Sequence, residues 1–582
     1  MGVEPFLYGF VLFALSGSLL WLLGSTTLSA EIRTESLFRA PWLGCGVFVG
    51  VLQIIHLFFP ISAKASLVVL GAFLTFAILR LAPQVKSLSR SGGGIRPILS
   101  LLVPLAIVAL LAFIPVLNCC TKDIFHYDLG LYYLKTIRWI ESYPIVPGLV
   151  NLQPHLGFNQ SAFLLTSAID TLVSDHRGIF FVGGLLPWLG LSLSSLAILR
   201  MAFGRFRKEQ TARPIEIAYA ISLPAWIFLL VSGNNSSASP DSISFCLILH
   251  LFLVFSCFIA STDQPERFQN LGEILFLAAT CLCVNPTSLA LVAGVVIVCA
   301  ARLLLSKQGV QLLRDRRIFL MTALSALLVT TWSARGVVLS GYPFFPSSAV
   351  AMPVPWRMPV KQVDSFRGMM VAWARDPDPK KKVKTTLRTW RWLPSWSQRI
   401  HSSIDQWVWS IQVGLVGSVA LLFAAAVGRL RGNLTILLLL ATPLLVHSIF
   451  WFLTIPEPKF FLLTAWLFAL SPALTFINRG IQVGFASSVA NLCLHAFPVI
   501  LMLWEFRESW SKLGALPPKL QVVETVVMTN PHGVQLWVPL HGQQTFDAPI
   551  PSGQAPVPEL AFLNPEKGPS GGFKFLKVNS SP

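Results

Sequence analysis

Acid is what this chain has least of. Only 26 of its 582 residues are Asp or Glu against 44 Lys and Arg, and charged residues of both signs make up 12% of the total. A soluble globular domain carries about twice that charged fraction, so a water-exposed surface over the whole chain is excluded. The net charge of +18 would suggest nucleic acid in a soluble protein. Here the basic residues gather in short loops between apolar runs, which is the positive-inside pattern of membrane proteins, and no nucleic-acid partner is expected. Cysteine offers no metal spacing. Cys45, Cys246, Cys257, Cys281, Cys283, Cys299 and Cys493 lie in apolar windows, where cysteine behaves as a small hydrophobe. Cys119 and Cys120 are adjacent and make a poor disulfide pair.

What fills the chain instead is apolar sequence: 54% hydrophobic residues and a mean hydropathy of +0.67. A membrane span needs about 20 mostly apolar residues. About fourteen windows qualify, at roughly 4–24, 41–60, 63–81, 98–117, 179–199, 214–232, 241–261, 271–284, 286–303, 318–338, 407–428, 433–454, 460–477 and 480–503. The fold class expected is therefore an all-α polytopic membrane protein of about 14 transmembrane helices, with outer-face loops and a small β-rich C-terminal appendage. The transmembrane module runs over 1–504 and the appendage over 505–582. The first segment lacks a positive n-region and reads as a first span rather than a cleaved signal peptide.

Basic residues set an orientation. Arg80, Lys86, Arg90 and Arg96 fill one short loop, Arg200, Arg205, Arg207, Lys208 and Arg213 another, and Arg302, Lys307, Arg314, Arg316 and Arg317 a third; these are expected to face the cytoplasm. Threading the windows between them puts the N-terminus outside and requires that 161–173 not cross, as suits a short re-entrant or surface helix. The outer face then receives the loop 118–178, "SGNNSSASPD" at 232–241, "VNPTS" at 284–288, the loop 339–406 and "PEPKF" at 456–460. These polar interruptions converge on one side.

The first of them is the densest. After an uncharged run, Lys122, Asp123, His126, Asp128, Lys135, Arg138 and Glu141 arrive together. The segment 126–142 reads as an amphipathic helix along the interface, with Tyr127, Leu131, Leu134, Arg138 and Glu141 at helical steps. Asp128 falls in its first turn, where the helix dipole favours a carboxylate; it is either a capping acid or a catalytic one. A charge held where the membrane makes charge costly favours function. Asn151, Gln153, His155, Asn159 and Gln160 follow as uncharged hydrogen-bonding groups suited to sugar hydroxyls, or to the loop's own backbone. Arg335 near a span end needs an anionic partner, either a lipid phosphate or an internal acid. In the long loop, Trp390, Trp392 and Trp396 suit headgroup level, and the neighbouring lysines and arginines suit lipid phosphates or a plain interfacial anchor. In the tail, "QVVETVVM" and "GVQLWVPL" read as strands joined by the turn "TNPHG".

The stretches "DLGLYYLKTIRWIESYPIVPGLVNLQPHLGFNQSAF", "LSGYPFFPS", "PEPKF" and "GVQLWVPLHGQQTFDAPIP" resemble the GT-C superfamily of membrane glycosyltransferases, closest to a largely uncharacterised bacterial GT-C-like multispanning family. Two departures stand out: "QQTFDAPIPS" lies where a cysteine pair would be expected, and "VNPTS" where a basic residue would be commoner. The resemblance implies transfer of a sugar from a polyprenyl-phosphate carrier to a glycan, lipid or protein acceptor outside the cytoplasm of a bacterial inner membrane. A hydroxyl acceptor needs a base, for which Asp128 is the first choice, Asp123 the second and His126 the third. The leaving phosphate needs cations, for which Arg335, Arg138 and Lys459 are the candidates. Tyr132, Lys135, Asn151, His155, Asn159, Asp241 and Glu457 are candidate substrate-binding groups. Asp241 reads first as a helix-starting acid and second as a cavity carboxylate, and Glu457 also reads as a partner of Lys459. No ligand cluster is visible, so no bound metal is expected, although some members of the superfamily use a divalent cation such as Mg or Mn. The competing readings are a lipid-linked saccharide flippase, which would spread ionisable groups through its spans, and a polymerase or ligase relying on Arg and His of a large outer loop, such as His401.

Overall fold

Apolar runs of 20 residues become helices because a chain in lipid must satisfy every backbone N–H and C=O within itself. In the computed structural model the described residues are 4–27, 34–72, 75, 79, 96–121, 126–173, 176–207, 213–231, 237–305, 315–378, 383–402, 434–475, 477 and 519–576. In chain order the helices are α1 (Glu4–Thr27), α2 (Thr34–Phe58), α3 (Arg96–Thr121), α4 (Leu134–Ser142), α5 (Ala162–Asp170), α6 (Gly178–Arg207), α7 (Pro214–Val231), α8 (Pro240–Ala260), α9 (Gln264–Val284), α10 (Leu289–Leu305), α11 (Arg316–Ser340), α12 (Val360–Arg375), α13 (Val383–Arg388), α14 (Leu393–Ser402), α15 (Leu434–Thr454) and α16 (Pro458–Leu474). A π-helical turn, Leu129–Tyr133, leads directly into α4.

Among the described residues eight helices are long and apolar enough to cross a membrane, and four shorter apolar helices lie at Phe13–Leu22, Ala63–Ala72, Pro214–Leu230 and Pro458–Leu474. The expected windows 407–428 and 480–503 lie outside the described residues. Every residue of α8 is buried, which makes it the axis of the bundle. By contrast α11 and α15 turn Phe319, Leu320, Leu327, Leu438 and Ile449 outward, apolar surface of the kind that lipid covers.

Local chemistry sets the ends. Ser239 caps α8, Asp263 caps α9 and Asp315 caps α11, each side-chain oxygen taking an otherwise orphaned amide. At the other end of α11, Gly341 sits at φ +83°, a left-handed residue that closes the helix without a Cβ penalty. The segment 161–173 does not cross the bundle. Its nine-residue helix α5 is buried throughout, so it is an internal element rather than a surface one.

The tail forms two small antiparallel pairs, β1 (Thr525–Thr529) with β2 (Gln535–Pro539) and β3 (Leu560–Phe562) with β4 (Phe573–Phe575). The first hairpin turns where "TNPHG" predicts it. Val534, Leu536, Val538, Leu560 and Phe573 pack with Trp139, Ile145, Val146, Leu149, Leu156 and Leu339 in a second core beside the main one. The tail is thus bound to the loop that follows α4.

One expectation changes here. The segment 126–142 does not lie along an interface with a free polar face, since Leu129, Tyr133, Leu134, Lys135, Ile137 and Trp139 are all buried. The bundle covers one side and the tail the other. Its polar face is spent on the tail, with the Arg138 guanidinium 2.7 Å from the Asp547 carboxylate.

Candidate active site

The polar interruptions do come together. Asp128 lies just ahead of the π-turn, and its carboxylate makes no capping bond to the turn, which leaves it as a first-turn acid or a catalytic one. Instead Oδ2 stands 3.6 Å from the Lys459 ammonium, 3.4 Å from the Tyr133 hydroxyl and 3.9 Å from His126 Nδ1. The Asp128 side chain keeps 27% of its surface open and that of Lys459 20%. This is a contact that is neither exposed nor closed. Lys459 is delivered by the start of α16, where Glu457 and Pro458 end the preceding turn.

Asp241 stands in the first turn of α8, but the cap there is the Ser239 hydroxyl. The Asp241 carboxylate, 3% exposed as a residue, accepts from Asn285 Nδ2 at 2.8 Å. Its charge reaches His126, Tyr133 and Lys459, so both Asp128 and Asp241 favour the charged form of the lysine. Burial, helped by Lys459, holds the His126 imidazole below its usual range, with Asp128 and Asp241 pulling the other way. Burial drives the Tyr132 and Tyr133 phenols well up, so both remain neutral donors. Burial pushes His155 down to about 4. Its ring stacks on Tyr132 at 5.1 Å, a neutral wall rather than a cation.

Other candidates are placed elsewhere. Glu457 pairs with Arg399 at 3.1 Å rather than with Lys459. Burial raises its carboxyl while Arg399 and Lys459 lower it. Arg138 is spent on Glu141 at 3.0 Å and Asp547 at 2.7 Å, and it does not face Asp128. The Lys135 ammonium is buried on Gln153 Oε1 at 2.6 Å, and burial pushes it down to about 7. Asn151 gives both amide bonds to main-chain carbonyls, of Trp356 and of Phe573 in the tail, and serves the fold. Asn159 donates to the Trp332 carbonyl. Arg335 is 4% exposed and donates to His56 Nδ1 at 2.8 Å. Among the described residues no carboxylate forms an ion pair with it. It lines a cavity of about 20 Å³ with His56, Asn159 and Gln160, room for about one water. Asp123 lies outside the described residues.

Sequence reading missed three features of this region. Tyr133 is not among the candidates read from the sequence, yet its hydroxyl donates to Asp128 Oδ2. Asn285 is the residue of "VNPTS" that orients Asp241, and its amide signature was on view. Glu141, Asp170 and His176 bring ligand atoms within 4.8 Å of one another, a grouping that joins α4 to the stretch around the end of α5. The Arg138 guanidinium sits among them, 3.6 Å from Asp170, and supplies the balancing charge there.

Over residues 6–466 the sequence matches the family described as Domain of unknown function (DUF8201). The chain belongs to this family. The matched range includes Asp128, Asp241, Glu457 and Lys459 and ends before the tail. No curated protein and no solved structure matches the chain.

Proposed function

We propose that this member of the family is a GT-C-like membrane glycosyltransferase of about fourteen spans in a bacterial cytoplasmic membrane, with its site facing the exterior. Its donor is a sugar linked to polyprenyl phosphate and its acceptor a hydroxyl on a glycan, lipid or protein. The observation that carries this reading is the half-open pair of Asp128 and Lys459, 3.6 Å apart and free of any capping duty.

The acceptor oxygen attacks the anomeric carbon, the bond from that carbon to the phosphate oxygen breaks, and polyprenyl phosphate leaves with the electron pair. The hydroxyl proton passes to the Asp128 carboxylate, and the anomeric centre inverts. An alcohol is a weak nucleophile, so a base in hydrogen-bond reach contributes about 10²–10⁴-fold. Lys459 meets the charge that builds on the departing phosphate. In the resting pair the ammonium occupies Asp128; an arriving phosphate competes for Lys459 and so frees the carboxylate. Tyr132, His155 and Asp241 are of residue types that suit sugar hydroxyls.

Among the described residues the superfamily's divalent cation finds a poor fit. Beside Asp128 the nearest basic group is already a lysine, and the grouping of Glu141, Asp170 and His176 holds Arg138. No step is routed through a metal.

The test uses the full-length protein in lipid nanodiscs with a panel of polyprenyl-phosphate sugars and hydroxyl acceptors, reading release of polyprenyl phosphate. Wild type should release it, and Asp128→Asn, equal in volume but without a basic oxygen pair, should not. Full activity in that variant would sink the assignment of the base. A flippase is favoured instead if donor crosses the bilayer without any release.

A further inference from the structure

The tail touches the Asp128 segment at both of its flanks. Before Asp128, the Gln544 side-chain amide donates to the Tyr127 carbonyl at 2.8 Å, and the Tyr127 hydroxyl donates to Gln543 Oε1 at 3.3 Å. After it, the backbone amides of Thr545 and Phe546 both donate to the Gly130 carbonyl, at 2.9 and 3.1 Å. One carbonyl has two lone pairs, and the tail uses both. The Phe546 ring lies flat over Gly130, where a Cβ would meet ring atoms at 2.7–2.8 Å. Two turns further on, the Asp547 carboxylate holds the Arg138 guanidinium through Nε and Nη2 at 2.8 and 2.7 Å.

These contacts fall on an irregular backbone. Leu129–Tyr133 is a π-helical turn, a wide form seen mostly as short insertions at functional sites. Phe546 itself stands at φ +41°, a region that a bulky residue occupies only when its surroundings hold it there. Its ring packs against the main bundle core, while Val534, Leu536, Val538, Leu560 and Phe573 of the tail belong to the second core. A loop kept only by its own turn would be free to relax toward a regular helix, which would rotate Asp128 away from Lys459.

We propose that Gln543–Asp547 is a positioning strap, a segment of the tail that fixes the π-turn and with it the direction of the Asp128 carboxylate. None of its side chains needs to touch substrate. The role rests on the transferase reading for its catalytic consequence, and on geometry alone for its structural one.

Hydrogen exchange measured by mass spectrometry on the full-length protein in nanodiscs reads the strap without any substrate. In Phe546→Ala and Asp547→Asn, amides of peptides covering 127–134 should exchange at least tenfold faster, while peptides of α8 stay unchanged. Gly130→Ala should do the same by pushing the ring away, and Gly130→Ala with Phe546→Ala should be no worse than Gly130→Ala alone. Gln544→Ala, which removes one surface bond, provides the mildest version and keeps the test open should a stronger variant fail to fold. Unchanged exchange in the folded variants, or additive losses in the double variant, would overturn the strap. With an active donor in hand, the same variants should lower kcat and leave the acceptor KM in place, the mark of a misaimed base. If wild type releases no polyprenyl phosphate from any donor, the transferase reading fails while the exchange data still decide the strap.

Discussion

Two of the acid–base pairs on this bundle are built to opposite ends. Arg39 on α2 and Glu273 on α9 meet at 2.7 Å with side chains 3% and 2% exposed, and the same guanidinium nitrogen also donates to Asn270 at 2.8 Å. Lys459 and Asp128 meet at 3.6 Å with side chains 20% and 27% exposed. Both helices of the first pair lead toward the second: α2 carries His56 near its far end and α9 runs into Asn285, which holds Asp241. From Arg39 to His56 is about 25 Å at the helical rise. The closed pair is sealed from solvent on both sides. The open pair leaves each charge partly unsatisfied, at the end of the bundle where the polar loops collect.

The largest effect that can break this comparison is on chemistry. Asp128→Asn should lower polyprenyl-phosphate release about 10²–10⁴-fold while the thermal midpoint hardly moves; a large loss of stability would mean that the open pair is structural after all. Next comes the closed pair. Arg39→Met alone should cost about 3–5 kcal/mol by stranding a buried carboxylate, whereas Arg39→Met with Glu273→Leu should come out near neutral, both read as thermal unfolding in nanodiscs. A single change without penalty would remove the contrast. Lys459→Met should cost roughly 10²-fold in rate and little in stability, because its partner keeps access to water.

The smallest expected effect belongs to Lys135, a buried cation of a third kind with an uncharged partner. Its ammonium is held at about 7 against an ordinary 10.5. Between those values the unfolded chain binds the extra proton and the folded chain does not, so this group's contribution to stability rises with pH from about 7 to 10.5. Lys135→Met should therefore raise the thermal midpoint more at pH 6.5 than at pH 10. Equal gains at both would show that burial does not set the titration of this lysine.

Much of the helical scaffold was legible because lipid-facing sequence has one signature, an uncharged run of fixed length. The shortness of the helix at 161–173 followed from counting crossings, though not its burial, and the hairpin after Thr529 followed from its turn residues. The partner of Asp128 was legible only as one of three cations. Nothing local separates Lys459 from Arg138 or Arg335, since which cation faces the carboxylate depends on how α16 docks. The same holds for Asp547, whose hold on Arg138 removes a candidate from the site. The amphipathic pattern of 126–142 was real, but periodicity records that a face is polar and not whether water or another part of the chain meets it.

The order of the parts along the polypeptide has a consequence for biogenesis. Asp128 leaves the ribosome early, Lys459 much later, and Gln543–Asp547 last of the three. A nascent chain halted before α16 carries the acid with neither its counter-ion nor its clamp, so the Asp128–Lys459 pair forms only after α16 is made, and the contacts to Gly130 and Arg138 only after the tail has folded back.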